Sequence, residues 1–192
     1  NNSNDTVVGT VTVYDNATIK RPMLEAFTSS TCGPCVAGNQ NISAVTANYA
    51  LDQYSILKYQ MSWPGSGDPY YTQEGGDRRG YYSVNAVPDL VVDGNYWQDN
   101  SSALSSQVMD DVLAIPAFVE LSSYFTVDNQ TVDISVNINP LGDFTNQLTL
   151  YVAIFEYMTY INVGSNGETQ FGYVMKKMVP GSTGFALSPL QD

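Results

Sequence analysis

The stretch EAFTSSTCGPCVAGNQ, residues 25 to 40, holds both cysteines of the chain, Cys32 and Cys35. The run before them, RPMLEAFT, reads as a buried strand. The run after them, CVAGNQNISAVTANYALDQ, carries Val36, Ile42, Val45, Tyr49 and Leu51 at spacings that fit a helix of about four turns. A CxxC at a strand-to-helix junction limits the pair to three uses. As a staple it is poorly placed, because closing a four-residue ring stabilises by roughly 2 kcal/mol against about 3 for a fifteen-residue loop. As a zinc clip it supplies two of four ligands, and the chain has no histidine to complete the set. As a redox reagent it fits its surroundings. The free N–H groups and partial positive charge of a helix start favour a thiolate at Cys32. Gly33 allows close approach, Pro34 stiffens the first turn, and Cys35 is placed to resolve a mixed disulfide formed at Cys32.

The absence of histidine excludes Ser-His-Asp and Cys-His catalysis and histidine-ligated metals. Any chemistry must run on cysteine, carboxylates, tyrosine, lysine or backbone dipoles, with no metal and no organic cofactor implied. Nineteen acids against seven bases give a net charge of −12. Such a surface repels phosphate backbones, so nucleic acid is not an expected partner. It also lacks the polybasic patch that anionic lipid would require. With 192 residues and 43% apolar content, the chain can bury a core without staples. Few charged residues, with abundant Asn, Ser, Thr and Tyr, suit an exported protein. The polar start NNSNDT reads as a mature or trimmed end.

Three segments are expected. Residues 1–17 form a polar lead and the alternating strand TVVGTVTVY. Residues 18–116 read as α/β. In them YSILKYQM is a strand, SWPGSGDPYYTQEGGD a Gly- and Pro-rich loop, and RRGYYSVNA a short helix. VPDLVVDGNYW reads as a hairpin turning at Asp93-Gly94. NSSALSSQVMDDVLAIPA reads as a helix ending before Pro116. Residues 117–192 carry four strand-like runs, AFVELSSYFTV, QTVDISVNI, QLTLYVAIFEYM and FGYVMKKMV, with no helix pattern between them. They predict a small all-β, sandwich-like unit. Four strands leave an open edge. Either this unit is incomplete, or self-assembly or a partner strand covers it.

Val87-Pro88 opens a strand-like run. It fits a cis peptide in a tight bend, with the Val87 backbone presented to an extended substrate beside the cysteines. It equally fits an ordinary trans proline on an edge strand. CGPC after an apolar strand, then a helix, then VPDLVVDG, resembles thioredoxin over residues 20 to 115. That resemblance implies a thiol–disulfide oxidoreductase acting on protein thiols and disulfides. Cys32 would attack, Cys35 would resolve and Pro88 would be the cis-proline facing them. Thr31, Gly33, Pro34 and Val87 would form the rim that meets substrate. Thr31 stands where thioredoxins usually have Trp. Glu25 lies near the position of a buried acid that relays protons to the second cysteine, but one place off; otherwise it is the solvent-facing end of a strand. EAFTSSTCGPC, the long middle loop and LYVAIFEYM…FGYVMKKMVPGSTG together resemble the outer-membrane-protein-28-related family. That resemblance implies a thioredoxin-like domain joined to a β-sandwich and export to the cell envelope. Two functions follow: an exported oxidoreductase, or a non-enzymatic envelope or surface protein with a permanent disulfide.

Other candidates read more simply. The aromatics Trp63, Tyr70, Tyr71, Tyr81, Tyr82, Tyr96 and Trp97 could ring a groove but suit packing better. Asp68, Glu74 and Asp77 lack EF-hand spacing and read as a solvated loop. Arg78-Arg79 and Lys176-Lys177 read as solvated pairs.

Overall fold

A computed structural model describes residues 16–191; the strand expected at 6–14 lies outside them. The fold is mixed α/β around a mixed six-stranded sheet, with two further two-stranded sheets. β1 (Met23–Thr28) lies parallel to β2 (Ser55–Gln60), and α1 (Gly33–Thr46) connects them. α2 (Gln73–Tyr81) leads to the antiparallel pair β3 (Asp89–Val92) and β4 (Trp97–Asp99), and α3 (Ser106–Leu113) follows. β5 (Val119–Asp128) and β6 (Thr131–Pro140) form an isolated hairpin. β7 (Thr149–Leu150) pairs with β10 (Phe185–Ala186). β8 (Val152–Thr159) and β9 (Phe171–Val179) form an antiparallel pair. The order in the large sheet is β4-β3-β1-β2-β9-β8.

This order corrects the expectation of a separate sandwich. The four runs after residue 117 are strands, but β9 docks parallel to β2 and carries β8 with it. β2 is buried along its length and needs a partner on each side. β9 supplies one side and also brings Phe171, Val174, Met175 and Met178 into the core. The sheet therefore runs through the boundary expected at 116/117.

Alternation along the strands sorts two cores. Leu24, Ala26 and Ile56 pack with Ile42 of α1 and with Met109 and Val112 of α3. Phe27, Leu57, Tyr59 and Val91 pack on the other face with Met175 and Met178 of β9. α2 also begins five residues earlier than the helix expected at 78–86, inside the anticipated loop, and ends at Tyr81. Thr72 caps it, its Oγ1 accepting the Gly75 N–H at 3.1 Å, with Glu74 in the first turn and Arg78 and Arg79 in the last. Gly75-Gly76 reads as a loop in sequence; in the helix a Cβ on Gly75 would lie 3.3 Å from Thr72 Oγ1 and at ordinary contact distance from Tyr59 and Met175, whereas one on Gly76 would crowd the Tyr71 hydroxyl. The Asp93-Gly94 turn is present, with φ of 51° and 77°.

Candidate functional site

Cys32 ends the loop after β1 in an extended conformation (φ −101°, ψ 107°) and caps α1. Pro34 occupies the first turn, where a missing N–H costs nothing. The Cys35 N–H donates to Cys32 Sγ at 3.2 Å, and the two sulfurs form a disulfide. Cys32 Sγ lies 3.6 Å from the Val87 carbonyl oxygen, and Val87-Pro88 is cis. α1 reaches Pro88 closely because residue 38 is glycine: a Cβ there would stand 3.0 Å from Pro88 and from Ser101. Cys32, Cys35, Val87 and Pro88 are thus brought together. Around Gly33 a Cβ would meet nothing within 4 Å, so this side of the turn is open. The Thr31 hydroxyl donates to the Pro64 carbonyl at 2.6 Å and is tied to the neighbouring loop.

Glu25 is not with them. Its one-place offset matters because a strand turns over at each residue. Leu24 and Ala26 face α1, whereas Glu25 faces α2 with Phe27. There its carboxylate accepts two bonds from Arg78 Nη2 at 2.9 and 3.0 Å, one from Tyr59 at 2.7 Å, and one from Tyr82. Glu25 is 5% exposed and is the centre of a buried ion pair, neither a solvent-facing strand end nor hydrogen-bonded to Cys35. Arg78 is correspondingly buried, not solvated, and its guanidinium lies over the rings of Tyr81, Tyr82 and Tyr151. Burial is the largest single influence on the Arg78 pKa and lowers it, but the Glu25 charge together with Tyr59, Tyr82 and the Glu25 hydrogen bond outweighs it and the net direction is up. Burial, then the Glu25 charge, pushes both Tyr59 and Tyr82 upward.

The polar groups on the α1 face come from elsewhere. Lys58, in the middle of β2, donates to Asn39 Oδ1 at 2.9 Å. Asn39 Nδ2 donates to Glu168 at 3.1 Å and to Thr28 at 3.1 Å. Burial lowers the Lys58 pKa to about 8, against the opposing pull of the Glu168 charge. A lysine inside the apolar run SILKYQM was the available sequence signal for this cluster. Its partner Glu168 is 110 residues further on (168 less 58) and carried none.

The segment between β8 and β9 is seated on the cysteine loop. Asn166 Nδ2 donates to the carbonyls of Ser29 at 3.2 Å and Cys32 at 3.4 Å. Asn162 donates to Asp68, which accepts the Ser30 N–H at 2.9 Å. Asp68 is therefore a buried anchor of this loop, not a solvated residue. Glu74 pairs with Lys177 and Asp77 accepts from Ser182, so the three acids serve three separate contacts. Among the described residues, no three or more His, Cys, Asp and Glu side chains gather as a metal site. None of the described helices is long and apolar enough to cross a membrane, which says nothing of spans made from strands.

No family model matches the sequence, and no curated protein matches it. Two solved structures share the fold. One is protein AGR_C_4864 of Agrobacterium tumefaciens, 15% identical with a TM-score of 0.62, aligned over 88% of this chain and 73% of that one. The other is HBP35 of Porphyromonas gingivalis, 16% identical with a TM-score of 0.63, over 88% of this chain and 60% of that one. This chain thus spans less than two thirds of HBP35.

Proposed function

We propose that this protein is an exported thiol–disulfide oxidoreductase of thioredoxin-like build, working in the cell envelope or outside the cell. The observation that carries the reading is the Cys35 N–H directed at Cys32 Sγ at the start of α1. A hydrogen bond and a helix N-terminus both favour the thiolate, the nucleophilic form. The strand order β4-β3-β1-β2 with flanking helices, and the Val87 carbonyl beside Cys32, agree with it. In the reductive direction, the Cys32 thiolate attacks one sulfur of a substrate disulfide. A Cys32–substrate disulfide forms and the other substrate sulfur leaves as a thiolate that takes up a proton. Cys35 loses its proton and attacks Cys32 Sγ, which closes the Cys32–Cys35 bond and releases the second substrate thiol. Substrate gains two electrons and the protein loses two. Oxidation of a substrate dithiol is the same sequence reversed. A formed disulfide agrees with an oxidising compartment.

One observation favours the second reading, a non-enzymatic envelope or surface protein with a permanent disulfide. Cys32 is 1% exposed and Cys35 is fully buried, whereas an attacking sulfur needs access. In that role β8, at the edge of the sheet and flanked by Tyr160 and by Ile161 at 81% exposure, is where a partner strand or a second copy would add. Equilibration in glutathione buffers with thiol trapping separates the readings. A potential between roughly −270 and −120 mV supports exchange chemistry; one below about −300 mV refutes it in favour of the structural disulfide.

A further inference from the structure

A cavity of about 400 Å³ lies beside the redox helix, between α1, β2 and the segment leading into β9. Its walls include Asn39 of α1, Lys58 and Gln60 of β2, and Met158, Glu168 and Tyr173 from the far side. The size is within the range of small-ligand sites. Gln60 is 2% exposed, and neither its amide nitrogen nor its amide oxygen finds a hydrogen-bond partner among the described residues. Leaving a buried donor and a buried acceptor both unmade is costly, and native interiors avoid it. Lys58 Nζ, with three N–H donors, makes one hydrogen bond, to Asn39. Polar groups therefore line this cavity with unused capacity, and none of it is explained by the disulfide chemistry.

The charges decide what fits. Lys58 and Glu168 oppose each other across Asn39, so their charges cancel. An anion would meet Glu168 and a cation would meet Lys58. A neutral group escapes both penalties. Gln60 needs an acceptor for its NH₂ and a donor for its C=O, side by side. A primary carboxamide offers that pair in one planar unit, and an extended peptide offers it through the N–H and C=O of one residue; either oxygen can accept from Lys58 with its second lone pair. Met158 and Tyr173 supply apolar wall for the rest of the molecule.

We infer that this cavity is a binding site for a neutral, carboxamide-bearing ligand, read by Gln60 and Lys58. The donor and acceptor pair comes from a small primary amide or from the N–H and C=O of one residue of an extended peptide, since a single trans peptide group points its N–H and C=O in opposite directions. Neither cysteine is among the cavity's walls, so the inference does not rest on whether the cysteines exchange.

The test is NMR titration of the ¹⁵N-labelled full chain, following the side-chain amide of Gln60. The probes are acetamide, N-acetylglycine N-methylamide and acetate. Fragments this small are expected to bind in the millimolar range. Saturable shifts of the Gln60 amide with at least one amide probe, and at least about tenfold weaker binding of acetate, are expected. Tighter binding of the blocked peptide assigns a main-chain ligand; equal or tighter binding of acetamide assigns a small amide. The Gln60 variants lack that side-chain amide and are read through the backbone amides of Asn39, Lys58 and Glu168; there Gln60→Leu should weaken either at least tenfold with the rest of the spectrum unchanged. If that variant does not fold, Gln60→Glu keeps the shape and should lose amide binding at neutral pH. No saturable shift with either amide, acetate binding as well as acetamide, or amide binding unaltered in the folded variant would overturn the inference.

Discussion

Lys58→Met should change how stability responds to pH, because Lys58 is buried inside the sheet with its pKa lowered from 10.5 to about 8. Between these two values the unfolded chain holds a proton that the folded chain has released. Stability of the native protein therefore rises with pH across that window, and the cost of burying the ammonium is fully present below pH 8. The difference from 10.5 to about 8, at 1.36 kcal/mol per pH unit, amounts to about 3 kcal/mol. Between pH 7 and pH 10 the gain is between about 2 and 3 kcal/mol, since part of the window lies above pH 10. Methionine retains the aliphatic volume but cannot titrate. The absolute stabilities also differ, because the substitution leaves Glu168 and Asn39 Oδ1 without their partner. The slope is free of that offset. The assay is urea unfolding of both proteins at pH 7, 8, 9 and 10, with the difference in stability plotted against pH. Above pH 10 stability falls as tyrosines of the unfolded chain ionise while Tyr59 and Tyr82 stay protonated, but both proteins share that loss. Parallel curves from pH 7 to 10 would refute the reasoning, since they would mean that Lys58 titrates alike in both states. Glu168→Gln should lower the Lys58 pKa further and start the rise at a lower pH.

Three other outcomes follow from the geometry. Arg78→Met should destabilise by about 3–5 kcal/mol by leaving the Glu25 carboxylate buried without its counter-ion. Adding Glu25→Gln should recover part of that loss, and strict additivity in the double-mutant cycle would contradict the pairing. Gly38→Val should cost about 1–3 kcal/mol by wedging α1 away from Pro88, whereas Gly33→Ala should stay within about 0.5 kcal/mol, both read by thermal or urea unfolding. Gly164→Ala should loosen the segment over the cysteine loop, because its new Cβ would collide with the Ser30 carbonyl oxygen. Faster amide exchange at Asn166, whose N–H donates to that carbonyl, would report it.

Local patterns made much of the front of the fold legible. The apolar runs around MLEAFT and SILKYQ, the helix spacing after Cys35 and the Asp93-Gly94 turn are short-range signals, each written within a dozen residues. The cysteine pair, the proline in the first turn of α1 and the absence of histidine narrow the chemistry through residue type and spacing alone. Glycines hid the start of α2, because they weaken helix propensity even where Thr72 caps the helix.

What only the tertiary structure decided depends on contacts distant in sequence. The pairing of β9 with β2 joins Val174 to Lys58, and no local pattern distinguishes that from a sandwich of neighbouring hairpins. The role of Glu25 turned on which face of β1 it occupies. A strand reverses its faces at every residue, so an offset of one place moved a candidate relay acid across the sheet to Arg78. Glu168 reached Asn39 and Lys58 only because the β8–β9 segment folds back over α1. The sequence by itself determined the local elements and the spacing of the cysteine pair, because torsional preference and period are local properties. The tertiary structure decided strand order, burial and charge partners, because these depend on which distant surfaces can exclude water together.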